Sequence, residues 1–293
     1  MKKTFLLYLI LIINFVSAAA LLSQGKDNPV RIMTYNIRFA GASELDSMDL
    51  WGKRKENLAN MIRFNKADII GVQEALKLQL DDLKGLLPEY KIIGVGRDDG
   101  KESGEYSAIL YRSDRFSILK DSTFWLSETP QKVSRGWDAA CNRVVTWAEF
   151  QDKSTKKSFF HFNTHFDHIG QLARKNSALL LLKKIKEIAA GNPVVVTGDF
   201  NFKPSSEYYS ILTESSAYPD KETLKDAQKV SVYPHYGSNV SFNNFGKNTD
   251  PENKIDYIFI KNDLKVISHG IISEKFNGRF PSDHMPVIAD IIY

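Results

Sequence analysis

Short apolar runs rich in β-branched and aromatic residues recur along the chain, and several of them stop on a polar residue suited to chemistry rather than to packing. The runs are Val30 to Ile37, Asp68 to Val72, Tyr90 to Val95, Tyr106 to Tyr111, Arg143 to Phe150, Ser158 to Asn163, Pro193 to Thr197, Ile255 to Ile260 and Pro286 to Ile292. Between some of them the apolar spacing turns helical: Leu58, Met61 and Ile62, then Leu76, Leu80, Leu83 and Leu87, then Leu172, Leu179, Leu182, Ile185 and Ile188. An α/β chain with more strands than helices is expected. Asn36, Glu74, His165 and Asp199 each follow such a run. Strand ends in a layered α/β protein bring residues distant in sequence to one edge, so one composite site is expected there.

No stretch from Val30 to Tyr293 is rich enough in Pro, Gly and Ser, or blocked enough in charge, to read as a linker, and residues 23–293 are expected to form one catalytic domain. Residues 1–22 have the grammar of a secretory signal: Lys2 and Lys3, an apolar run from Phe5 to Val16, then Ser17, Ala18, Ala19 and Ala20. Export to a periplasmic or extracellular space is therefore expected, in preference to anchoring by an uncleaved apolar segment. Lys2 and Lys3 are the only charged residues before Lys26, so cleavage would take the formal charge from +4 to +2. Cys141 is the only cysteine. It excludes an intrachain disulfide and a structural zinc site built on cysteines.

Gly198-Asp199-Phe200-Asn201 sets a carboxylate and an amide two residues apart, on one side of an extended segment, where they can hold a hard cation or an attacking water. The same tetrapeptide also reads as an Asx-rich turn. Asp283-His284 precedes a closing strand, and Asp256 opens one; each alone would read as an ordinary structural residue. Thr164-His165-Phe166-Asp167-His168 suggests a zinc clip, but three residues along a strand put the two imidazoles on opposite faces.

Taken in order, "MTYNIR", "GVQEA", "NTHFDH", "VVVTGDFN", "KIDYIFI" and "SDHMPV" resemble the motifs of the endonuclease/exonuclease/phosphatase family, the group with DNase I, abasic-site endonucleases, sphingomyelinases and deadenylases. The resemblance runs from Ile32 to the carboxyl terminus. It implies a four-layer α/β/β/α sandwich of two packed mixed sheets with outer helices, and a hydrolase that splits a phosphodiester or phosphomonoester with metal-activated water. Glu74 would be the principal Mg²⁺ ligand, with Asn36 beside it and Asp283 supporting the metal side. Mn²⁺ is the alternative ion, and one ion or two could bind. Asp199 would orient or deprotonate the water, and Asn201 would hold that water and a phosphate oxygen. His284, oriented by Asp256, would bind the phosphoryl group, with His165 near the phosphate. Such a set answers the chemistry, because a phosphoester anion repels hydroxide and needs positive charge, a placed water and help for its leaving group.

Arg38 departs from the pattern, standing where some family nucleases carry an acid; an arginine cannot ligate a metal, so it puts a second metal position in question and offers a phosphate contact instead. Glu252-Asn253-Lys254-Ile255-Asp256 also lacks the signature of the inositol polyphosphate 5-phosphatases. Trp137, Arg143 and His168 are the expected substrate-binding residues, with Trp125, Arg174 and His235 as further candidates. Lys183, Lys184 and Lys186 read as the solvated face of a helix rather than a nucleic-acid patch. A small or terminal phosphoester is the expected substrate and a monomer without an obligate protein partner the expected state. The competing readings are an exported nuclease on DNA or RNA, a non-catalytic binding module on the same fold, and an exported glycosidase. The glycosidase leaves Asn36, Asn201 and His284 unexplained.

Overall fold

The computed structural model describes residues 28–41, 46–214 and 223–293. The expected signal segment lies outside them. Among the described residues, thirteen strands make two sheets. The first contains β1 (Val30–Asn36), β2 (Ile69–Ala75), β3 (Tyr90–Ile93), β4 (Tyr106–Arg112), β10 (Tyr236–Gly237), β12 (Lys265–Ile271) and β13 (Val287–Ile292), in the order β10-β12-β13-β1-β2-β4-β3. The second contains β5 (Phe116–Trp125), β6 (Val144–Asp152), β7 (Ser158–His165), β8 (Val194–Asp199), β9 (Lys225–Asp226) and β11 (Asp256–Lys261), in the order β5-β6-β7-β8-β11-β9. Both sheets are mixed, with β1 parallel to β2 and β7 parallel to β8.

The central strands read as continuous apolar runs because both of their faces are covered. Ile32 and Ile69 face the other sheet, in a core shared with Phe159, Val195 and Ile258. Their neighbours Met33 and Ile70 face the outer helices α1 (Trp51–Asn65) and α2 (Lys77–Leu86), meeting Leu58, Ile62, Leu80 and Leu83. On the far side, Phe160, Val194 and Val196 pack with Leu181, Leu182 and Ile185 of α3 (Gln171–Ala189) and with Tyr209 and Leu212 of α4 (Glu207–Thr213). Three cores between four layers make the expected α/β/β/α sandwich. On α3, Leu172 stands 50% exposed although its spacing assigns it to the apolar stripe; the buried face begins at its neighbour Ala173.

The face that each central strand turns toward the opposite sheet changes character along its length. On β1 it runs Ile32, Thr34, Asn36; on β2 Ile69, Gly71, Gln73; on β7 Phe159, His161, Asn163, His165; on β8 Val195, Thr197, Asp199. The middle residues form a buried polar seam. Gln73 Nε2 donates to Thr34 Oγ1 at 3.0 Å and to Asn163 Oδ1 at 2.7 Å across the sandwich. Asn163 Nδ2 donates to the carbonyls of Val72 and Ala108, and Thr197 Oγ1 bonds both Asn163 Oδ1 and His161 Nε2. Gly71 makes this approach possible: a Cβ there would lie 2.1 Å from Thr197 Oγ1 and 2.4 Å from Asn163 Oδ1. Beyond the seam, the strand ends carry the chemistry.

Candidate active site

Asn36, His165 and Asp199 are the last residues of β1, β7 and β8, and Asp256 is the first of the antiparallel β11, opposite Asp199. Glu74 reaches the same edge by a different route. Strand alternation would turn it away from Gln73, toward the helices. The β2–β4 register instead slips between Val72 and Ala75, and Glu74 adopts a left-handed φ of 62° that re-aims its side chain. Arg38 (φ 54°) and Asn201 (φ 51°) are held in the same region. Each costs roughly 1 kcal/mol in a non-glycine residue, and such strain gathers at functional sites.

Asn36 is the joint between the half-sites, donating to Glu74 Oε1 at 3.0 Å and to Asp199 Oδ2 at 2.9 Å. Its own oxygen accepts from the Arg38 N–H. In this arrangement Asn36 aligns the two carboxylates from behind and is itself fully buried. The loop after β1 is fixed from below by the buried guanidinium of Arg54, which donates to the carbonyls of Ile37, Arg38 and Pro281. That one side chain ties the Arg38 loop to the segment bearing His284. Arg38 stands 3.7 Å from both Glu74 Oε2 and Asp283 Oδ2.

His284 Nδ1 meets Asp256 Oδ2 at 2.8 Å, and its Nε2 faces Asp199 Oδ2 at 3.7 Å. Burial alone would lower its pKa, but Asp256, Asp199 and Asp283 outweigh it and raise it to about 10. His284 is therefore an imidazolium at neutral pH, with Nδ1–H donating to Asp256 and Nε2–H left to donate to a ligand. Asp199 is pushed up to about 7, first by burial and then by Asp256, against the opposing pull of His284 and Asn36. Glu74 is held below the usual range: burial works against ionisation, but the Asn36 amide, His284, Arg38 and the Phe39 N–H prevail. His165 goes the other way, kept well below its ordinary value by burial and by Arg143 and Arg97. The neutral ring accepts from Asn201 Nδ2 at 2.9 Å through Nε2, which also lies 3.5 Å from Asp199. Asn201 donates in addition to the Phe166 carbonyl, and its N–H bonds Asp199 Oδ1.

Glu74, Asp199 and His284 bring potential ligand atoms within 4.8 Å of one another. The imidazolium has no lone pair to give, so the donor set reduces to carboxylate oxygens, with Asp283 behind Arg38. Oxygen donors around an ionised Glu74 fit a hard divalent cation rather than a soft one. Arg38 offers fixed positive charge on the Asp283 side.

These groups floor a cavity of about 820 Å³. Arg143, His168 and Arg174 line it, as do Arg97, Glu105, Lys203 and Phe242, which carried no signal in the sequence because they sit outside the regular elements, and Tyr208, near the start of the short helix α4. Arg143 is 4% exposed, with Nε 3.4 Å from Asp167 and Nη2 2.9 Å from His168 Nδ1; its Nη1 is buried with no hydrogen-bond partner among the described residues. Phe242 packs its ring against His284 at 4.9 Å. Three expected specificity residues lie elsewhere. Trp137 is outside the cavity lining, its N–H directed at Glu128. Trp125 is a packed residue whose indole bonds the Arg97 carbonyl, and His235 pairs with His269 beside β12.

A model of the Endonuclease/Exonuclease/phosphatase family matches residues 33–284. An endonuclease/exonuclease/phosphatase from Bacteroides vulgatus is 43% identical, with 90% of this chain and 98% of that one covered at a TM-score of 0.83. A mannosyl-6-phosphatase from Bacteroides thetaiotaomicron is 40% identical, with 90% and 100% covered and the same TM-score of 0.83. The catalytic domain of human nocturnin shares the fold at 22% identity and a TM-score of 0.69, over 90% of this chain and 93% of its own. With the strand-end carboxylates, the Asp256–His284 pair and the four-layer sandwich in place, the chain belongs to the endonuclease/exonuclease/phosphatase family.

Proposed function

We propose that the protein is an exported phosphoesterase that hydrolyses a small phosphate monoester, a sugar phosphate foremost, with Mg²⁺, or Mn²⁺ in its place, held at Glu74. The observation that carries this reading is the setting of Asp199. Its Oδ2 lies 2.9 Å from the Asn36 amide, 3.5 Å from neutral His165 and 3.7 Å from cationic His284, in the lining of the cavity. A carboxylate with a pKa near 7 is well matched to take a proton from water. Asn201 Oδ1 accepts from that water, its two amide hydrogens being held by His165 and the Phe166 carbonyl. His284 donates Nε2–H to an equatorial oxygen as negative charge builds there, while Asp256 keeps the ring turned and charged. Arg143 supplies a further N–H from the cavity wall. A bound divalent ion would neutralise phosphate oxygens and assist departure of the alcohol; Glu74, with Asp283 or Asp199, would hold it.

A cavity of about 820 Å³ has room for a small phosphoester, and 40% identity to a mannosyl-6-phosphatase supports the same reading. The lysine cluster on α3 gives little to a long polyanion. Lys183 and Lys184 both face Glu187, at 4.0 and 2.7 Å, on one turn of α3. Export rests on Lys2, Lys3 and the apolar run that follows them. The test is a comparison of kcat/KM for mannose 6-phosphate, glycerol phosphate, an aryl diester, single strands and plasmid DNA, with chelator-stripped protein before and after Mg²⁺, across a salt series. Metal-dependent turnover should be highest on a small monoester and change little with salt. Plasmid nicking far above every small ester, and steeply suppressed by salt, would restore the nuclease reading.

A further inference from the structure

One wall of the cavity carries an ion pair that the chemistry above does not use. Arg97 Nη1 and Nη2 donate to the two oxygens of Glu105, each at 2.8 Å. Both residues belong to the loop joining β3 to β4, which folds back on itself: Arg97 N bonds Glu105 O at 3.1 Å, Asp98 N bonds Ser103 O, and Gly96 N bonds Lys101 O. Gly104, at φ +82°, allows the return, since a Cβ there would meet the Asp98 carboxylate at 2.3 Å. The Arg97 carbonyl is anchored by the Trp125 indole at 2.8 Å. The pair is thus held rigidly at the cavity surface, with 14% and 17% of the two side chains accessible, beside Arg143 and His165.

A staple for the loop would not need to face the cavity, and burying a bidentate pair carries a desolvation cost that an apolar contact avoids. The charge pattern around the pair indicates what it meets. Arg97 is balanced by Glu105, Arg143 by Asp167 and Lys203 by Asp250. A second anionic group on the substrate would be repelled by Glu105. Neutral hydroxyls would not be, because they donate as readily as they accept. A carboxylate has about four lone-pair positions and Arg97 occupies two. The others can accept from hydroxyls, even two on neighbouring carbons.

We infer that Glu105, fixed by Arg97, accepts hydrogen bonds from hydroxyl groups on the alcohol part of the substrate, and so selects polyhydroxylated phosphoesters. Glu105 is a specificity residue, remote from the phosphoryl transfer itself. The inference rests on the small-phosphoester reading given above, and it assigns the residue that recognises the leaving group.

The experiment compares wild type and Glu105→Gln on mannose 6-phosphate, its singly deoxygenated analogues and phenyl phosphate, whose leaving group bears no further hydroxyl. For mannose 6-phosphate, kcat/KM should fall by about 10- to 100-fold, mainly through KM, while phenyl phosphate changes by less than about 3-fold. One deoxy analogue should lose rate in wild type yet no more in the variant. An equal fall on both esters would assign the pair to the fold alone and overturn the inference, as would a wild-type preference for phenyl phosphate. Should Glu105→Gln fail to fold, the exchanged pair Arg97→Glu/Glu105→Arg retains the ion pair but moves the acceptor; an undiminished sugar preference there refutes the assignment. Absence of turnover of any ester by wild type in Mg²⁺ would refute the proposed function instead. Calorimetry of mannose 6-phosphate with metal-free protein then decides the inference: binding at least about 10-fold weaker in Glu105→Gln upholds it, and equal or undetectable binding overturns it.

Discussion

Asp256→Asn tests the charge logic of the site with almost no change of shape. The Asn oxygen can still accept from His284 Nδ1–H, so the ring stays oriented and only the countercharge goes. A hydrogen bond to a charged group contributes about 1.5–3 kcal/mol, and a neutral acceptor roughly half of that. The loss of about 1–2 kcal/mol converts to a 5- to 30-fold lower kcat at neutral pH. The pH profile makes the prediction more specific. Asp256 contributes to holding His284 up at about 10 and to pushing Asp199 up to about 7. In wild type, kcat should be lost on the alkaline side as His284 gives up its proton, and on the acid side as Asp199 gains one, at or below pH 7 because bound metal would lower it further. Removing the Asp256 charge lowers both pKa values, so the whole bell should move toward acid. Stopped assays on a phosphomonoester from pH 5 to 10.5, with metal saturation verified at each point, measure this. Unshifted limbs, or unchanged kcat, would refute the account of Asp256.

Glu74→Gln should leave circular dichroism unchanged while lowering turnover by about 100-fold or more and weakening calorimetric Mg²⁺ affinity, with chelator reproducing the kinetic loss in wild type; full activity of wild type shown to be metal-free would refute the role. Gly71→Ala places a methyl 2.1 Å from Thr197 Oγ1 in the sheet interface, so stability to denaturant should fall by about 2–4 kcal/mol from overpacking and a disturbed polar seam; a loss below about 0.5 kcal/mol would show that the seam yields easily. Asp152 accepts from Ser154, Thr155 and Arg115, which, against burial, depress its pKa from 3.8 to about 2. A depressed acid stabilises above its unfolded pKa and loses that contribution as pH falls from about 4 to 2, so Asp152→Asn should cost about 1–2 kcal/mol at pH 6, allowing for solvent screening, and little at pH 2. Equal costs at both pH values would exclude an ionic origin.

The central strands were legible because burial on both faces leaves long apolar runs, and the candidate site residues Asn36, His165 and Asp199 stood out because they end those runs. β5 escaped notice: its middle, Lys120 to Ser122, is an exposed, charged edge that mimics a loop. β12 has its apolar run cut short after Ile267 by Ser268, His269 and Gly270. Glu74 could be named from its motif, but the left-handed backbone that aims it could not. Asn36 shows a different boundary. Its motif suggested a metal ligand, whereas its amide here bridges two carboxylates, a distinction set by side-chain rotation rather than by sequence position. Trp137 and the Arg97–Glu105 pair mark the same boundary in opposite directions, since which loop residues face a cavity depends on turns that bring no periodicity to the sequence.

The polar seam across the mid-plane has a mechanical meaning. Asn36 and Glu74 ride on one sheet, while Asp199, His165 and Asp256 ride on the other. A purely oily interface would let the two sheets shear by fractions of an ångström at small cost, because dispersion contacts are non-directional. The bonds of Gln73, Asn163 and Thr197 are directional, and any slip strains several of them together. They act as dowels, set one layer below the reacting atoms. Catalysis should then serve as a gauge of sheet alignment: under rising urea, turnover should disappear before far-UV circular dichroism changes, as the dowels loosen while each sheet keeps its own ladder.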